Sequence, residues 1–177
     1  LIDPRTAPSL PYFQENAQVI IGDTYPNISQ VRAWKVKPRE IVHPLHVQFG
    51  DLAILRGYTI LDGPHGDTIL LLYWEPLSQT ENEFSVLLHV NAQPEAPPIA
   101  VFDHGVANGT ISTTLWPTET IIRDPVPLPN SLSGDFLISI GWYPTNTPEK
   151  LLPLNDAELE QIYHGRFVIQ MQFQSAP

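Results

Sequence analysis

The chain has 177 residues, with 9 Lys and Arg against 19 Asp and Glu and a formal charge of −10. That length is enough for one domain with an arm and a sizeable apolar core, and the negative charge repels phosphate backbones, which excludes nucleic acid as a partner. Cysteine is absent, so disulfides, a thiol nucleophile and thiolate metal sites are excluded as well.

Nineteen prolines, about twice the average usage of roughly 5%, lie scattered between short apolar runs, a pattern that breaks helices and favours strands joined by turns. Residues 1–45 carry Pro4, Pro8, Pro11, Pro26, Pro38 and Pro44, with short apolar runs only at 19–21 and 31–36, and read as an arm or linker. The sandwich domain is expected over 46–177. It opens with an apolar strand over 52–60, followed by a turn at Asp62-Gly63-Pro64-His65-Gly66-Asp67. Residues 69–74 (Ile-Leu-Leu-Leu-Tyr-Trp) are apolar on both faces, as in a central strand covered on each side. Phe84, Val86, Leu88 and Val90 alternate with Ser85, Leu87, His89 and Asn91, which is a strand with one face inward. Residues 99–102 add a short strand, and 120–128 another, limited to a sheet edge by Pro125 and Pro127. Turns are expected at Asn108-Gly109 and Ser133-Gly134.

Alternation returns with Phe136, Ile138, Ile140 and Trp142, and is cleanest in Phe167, Ile169, Met171 and Phe173. Between these, residues 155–164 read as one short inserted helix, capped by Asn155 or Asp156 and stopped at Gly165. Because strand and helix do not alternate, the fold expected is all-β, an antiparallel, jelly-roll-like sandwich.

Candidate site residues are few. His43 and His46 flank Pro44 in extended chain, where they point to different faces, so a shared metal is disfavoured. His89 and His104 read as ordinary hydrogen-bonded residues. Trp74 and Trp142 share the phase of core residues. Trp116 and Tyr143 lie beside prolines at strand ends, where a ring can stay exposed and stack on the C–H face of a sugar. Asp103 with Asp124, or Glu81 with Glu83, could be paired acids for glycoside chemistry, but carboxylates at strand ends more often cap backbone N–H groups. Asp103 and Asp124 are therefore expected to be structural, holding loop N–H groups or a structural calcium ion; no other cofactor is expected. Asn27-Ile28-Ser29 and Asn108-Gly109-Thr110 match the glycosylation sequon without deciding anything.

From Phe49 to Phe173 the order of features has a likeness. It runs through Phe49-Gly50-Asp51, Leu55-Arg56-Gly57-Tyr58, Leu71-Leu72-Tyr73-Trp74, residues 84–90, Asp103, Leu115-Trp116-Pro117, Ile122-Arg123-Asp124 and Gly141-Trp142-Tyr143-Pro144. This series resembles the C-terminal, extracytoplasmic β-sandwich domain of bacterial membrane glycosyltransferases of the protein-mannosyltransferase type. The resemblance implies a non-catalytic accessory domain beside a membrane-embedded catalytic part, contacting acceptor glycan or protein. It also implies that the chain is a piece of a longer protein, in line with its start at Leu1 and its single Met at 171. The family's catalytic acids have no counterpart here. The alternative is a carbohydrate-binding module of a secreted enzyme, which bilayer-length segments upstream of Leu1 would exclude; a hydrolase would need turnover by this domain alone.

Overall fold

The computed structural model describes residues 17–19, 34–36, 41–63, 67–129, 131–132, 134–155 and 162–173. The chain divides into two compact units, Leu1–Glu40 and Ile41–Pro177. In the first, β1 (Ala17–Val19) and β2 (Trp34–Val36) pair antiparallel, with Ala17 opposite Val36.

The second unit is all-β: two five-stranded antiparallel sheets packed as a sandwich, with one short helix. Its strands are β3 (His43–Phe49), β4 (Ala53–Asp62), β5 (Thr68–Pro76), β6 (Phe84–Asn91), β7 (Ala100–Val101), β8 (Ile122–Leu128), β9 (Gly134–Pro144), β10 (Leu154–Asn155), β11 (Ile162–Tyr163) and β12 (Arg166–Phe173). The first sheet has the order β10-β3-β4-β5-β8 and the second β11-β12-β9-β6-β7. No helix among the described residues is long and apolar enough to cross a membrane.

The apolar phase of each strand builds one shared core. Leu70, Leu72 and Trp74 from β5 meet Val86, Leu88 and Val90 from β6, Phe136, Ile138, Ile140 and Trp142 from β9, and Phe167, Ile169 and Met171 from β12, all buried. Phe84 packs against this core while only partly buried. A slip of one residue in any of these strands would turn its apolar set to the other face, so the core fixes the registers. At its centre, Trp142 meets Trp74 and Trp116 edge-to-face at centroid distances of 5.0 and 5.7 Å, and Phe49 meets Trp74 at 5.6 Å.

β5 is central, between β4 and β8, and both of its faces are buried, including the outward Leu71 and Tyr73. β8 is an edge strand, and Pro125 and Pro127 suit it because neither has an N–H to offer a further strand. Gly57 sits at a β-bulge where the register against β5 shifts, with φ +147 and the His43 carbonyl so near that a Cβ would collide with it.

Three elements depart from the sequence reading. β3 begins at His43 and lies partly inside the stretch read as an arm, because Pro44 is accommodated at a register shift between Pro44 and Val47. The helix read over 155–164 is flanked instead by extended chain: Asn155 ends β10 and Ile162–Tyr163 form β11, while 156–161 lie outside the described residues. The short helix is α1 (Val106–Gly109), at the expected Asn108-Gly109 turn. Ala107, Asn108 and Gly109 all have positive φ (51, 56 and 74), so this is a left-handed turn in which Asn and Gly are favoured.

Candidate functional site

Two carboxylates organise the polar side chains of the sandwich. Asp124, on the inward phase of edge strand β8, is fully buried. Its Oδ2 accepts hydrogen bonds from Trp74 Nε1 (3.1 Å) and His104 Nε2 (3.0 Å), and its Oδ1 accepts one from the Ala107 N–H (2.9 Å). His104 follows β7 and pairs its backbone with Val86 of β6. Asp124 therefore ties the first sheet to the segment that leaves the edge of the second.

Both ring nitrogens of His104 face acceptors: Nε2 the Asp124 carboxylate and Nδ1 the Phe102 carbonyl at 2.7 Å. Only the doubly protonated ring can donate to both, whereas either neutral tautomer would set a bare nitrogen against an acceptor, so the geometry favours the imidazolium beside Asp124. Burial of the ring opposes this charge. The hydrogen bond and charge of Asp124, the Phe102 carbonyl and the field of Asp103 outweigh it and hold the His104 pKa above its ordinary value.

Asp103 stands at the outer face of the second sheet. Its Oδ1 accepts from the Leu88 N–H (3.0 Å) and lies 3.2 Å from His89 Nε2, and its Oδ2 accepts from the Tyr143 hydroxyl (3.2 Å). The other ring nitrogen of His89, Nδ1, takes a long contact of 3.5 Å from Arg166 Nη1. Arg166, His89, Asp103 and Tyr143 thus form one chain of polar contacts across β12, β6 and β9. Partial burial, and then the charge and hydrogen bond of Asp103, raise the Tyr143 phenol above its ordinary pKa, so it stays a donor.

Asp103 and Asp124 each accept from a backbone N–H group, at Leu88 and Ala107. Calcium has no support from this geometry, because N–H and O–H donors already point at each carboxylate. Among the described residues no three His, Asp or Glu side chains gather to hold a metal.

Trp116 is a correction. Its ring has 0% exposure, packs edge-on against Trp142 and donates from Nε1 to the Ser78 carbonyl at 2.7 Å, so it offers no face to a sugar. The turn before Pro117 points the indole inward, and the exposed side chain is its neighbour Leu115, at 78%. Tyr143 is half-buried.

The remaining candidates serve separate purposes. His43 stacks on Tyr58 with ring centroids 4.5 Å apart, whereas His46 Nδ1 accepts from Arg56 Nη1 at 2.8 Å, so the two histidines do not converge. Glu83 accepts from Ser112 Oγ (2.6 Å) and the Thr113 N–H (3.0 Å), which makes it a loop cap. Arg166 and the charged state of His104 escaped the sequence reading, since no local spacing links positions 89, 103, 143 and 166; alternation alone does put His89 and Tyr143 on one outward face. Comparison with known proteins yields no match among family models, curated proteins or solved structures.

Proposed function

We propose that this chain is a non-catalytic accessory sandwich of an extracytoplasmic membrane glycosyltransferase, held beside the membrane-embedded part of its parent and contacting acceptor glycan or protein. The attachment to such a parent rests on the ordered motifs between Phe49 and Phe173. The non-catalytic role rests on where those motif residues fall. Trp74, Trp116 and Trp142 are buried packing residues. Asp124, the acid that general acid–base chemistry would draw on, is sealed from solvent and saturated by three donors. A general acid or base has to reach a substrate proton, and a carboxylate with no exposure cannot.

The test is the behaviour of the native protein that carries this domain, followed with an antibody to the 177-residue chain. The reading expects it in the membrane fraction after alkaline carbonate washing, with the domain open to protease added outside intact cells. Recovery in the soluble fraction, or protection from external protease, would contradict it. Turnover of glycoside or ester substrates by the chain alone would contradict the non-catalytic role.

A further inference from the structure

We propose that the loop end of the sandwich carrying Leu77, Leu115 and Ile121 is a docking surface for a basic protein partner, one that presents lysines or arginines around apolar side chains. The inference rests on the protein-contact part of the accessory-domain reading and gives that partner its chemistry.

The antiparallel pairing brings the connections 50–52, 77–83, 110–121 and 145–153 to one end of the sandwich. Hydrogen bonds tie them together there. The Leu77 N–H donates to the Leu52 carbonyl (2.9 Å), Trp116 Nε1 to the Ser78 carbonyl (2.7 Å), Gln79 Nε2 to the Trp116 carbonyl (3.3 Å) and the Thr145 N–H to the Glu83 carbonyl (2.9 Å). Leu77 and Leu115 thus flank residues bonded to each other, and Ile121 stands one position before the Ile122–Trp74 pair. All three side chains are held out into solvent, Leu115 at 78%, Ile121 at 47% and Leu77 at 39%. Apolar side chains grouped on one surface mark interaction sites, whereas single ones need no explanation. Because the loops are already fixed by these bonds, a partner loses little to ordering them.

Charge selects the occupant. Asp51, Glu81, Glu83, Glu119 and Glu149 are exposed on these four connections, against Lys150 as their one cation. A second copy docked by this end in a two-fold contact would set the carboxylates against themselves, on a chain whose net charge is −10. Anionic lipid headgroups are repelled for the same reason. A protein surface with basic groups around an apolar centre answers both features at once, since it neutralises the acids and covers the leucines and Ile121. Leu115, with most of its side chain still to bury, is the natural anchor.

The test is an amide NMR titration of the full 177-residue chain with a synthetic amphipathic helical peptide of leucine and lysine. Two comparators accompany it, one with glutamate in place of lysine and one with serine in place of leucine. The leucine–lysine peptide should shift the amides of Leu77, Leu115 and Ile121 and saturate with a Kd of about 0.1 mM. Each comparator should bind at least about tenfold more weakly, and so should the parent peptide to Leu115→Ser, a change at an exposed position that leaves the fold intact. The proposal is overturned if the peptide moves amides elsewhere and not these, if the glutamate peptide binds as well, or if Leu115→Ser leaves affinity unchanged. Shifts of the same amides on concentrating the chain alone would give the surface to a second copy, and shifts on adding phosphatidylcholine vesicles would give it to a bilayer; either result overturns it too. All of these are read on the isolated chain, so failure here is distinct from recovery of the native protein in the soluble fraction, which would contradict attachment to a membrane parent.

Discussion

Asp103 and Asp124 are the same side chain in two settings. Asp124 is fully buried and meets donors from β5, α1 and His104, whereas the side chain of Asp103 is 27% exposed and shares one network with Tyr143, His89 and Arg166. The difference lies in how much capacity burial leaves over. Deep in the sandwich an unpaired polar atom is too costly, so the Asp124 cluster is closed and can only be structural. At the outer face water can fill what the protein leaves open, and the Asp103 side chain keeps part of its surface in solvent.

The sharpest way to break this contrast is Asp124→Ala. It leaves a buried imidazolium, the Trp74 N–H and the Ala107 N–H without their acceptor, and should cost about 3–5 kcal/mol in denaturant melts, the usual penalty for stranding one partner of a buried pair. A loss under about 1 kcal/mol would put Asp124 among surface-type pairs and remove the distinction.

The next effect is on pH dependence. The folded pKa of His104 lies above its ordinary 6.5, so its contribution to stability is complete below 6.5 and is lost as pH rises through the folded value. Thermal melts from acid toward alkaline pH should show stability falling across that window in the wild type. In His104→Gln the fall should be flatter, and an equal fall would assign the dependence to another group.

Asp103→Ala should cost only about 1 kcal/mol, because solvent replaces most of what it loses. Smallest of all is the effect of a chelator: EDTA should leave the melting temperature unchanged, and a clear drop would reinstate calcium at these carboxylates.

How much of this was legible in the sequence follows the reach of each interaction. The core strands were, because Phe84 to Val90 and Phe136 to Trp142 state their inward face by alternation alone, and Pro125 and Pro127 mark the edge strand. β3 was not, since Pro44 hides a strand whose bulge is set by contact with Gly57. β10 and β11 pair with β3 and β12 through contacts that local periodicity cannot show, so residues 155–164 read as helix. At the candidate sites, the hold of Asp103 and Asp124 on backbone N–H groups was readable from the capping habit of carboxylates, whereas the place of Asp124 inside β8, with Trp74 and His104 as further partners, was not. The orientation of Trp116 was not, because the turn at Pro117 decides which of Leu115 and Trp116 faces the core.

The most direct test is the protonation of His104 beside Asp124, read from long-range nitrogen–proton NMR of the imidazole ring above pH 6.5, where an ordinary histidine has lost one proton. His104 should still carry protons on both nitrogens, one toward Asp124 and one toward the Phe102 carbonyl. A neutral His104 at that pH would contradict the closed ion pair on which the contrast rests.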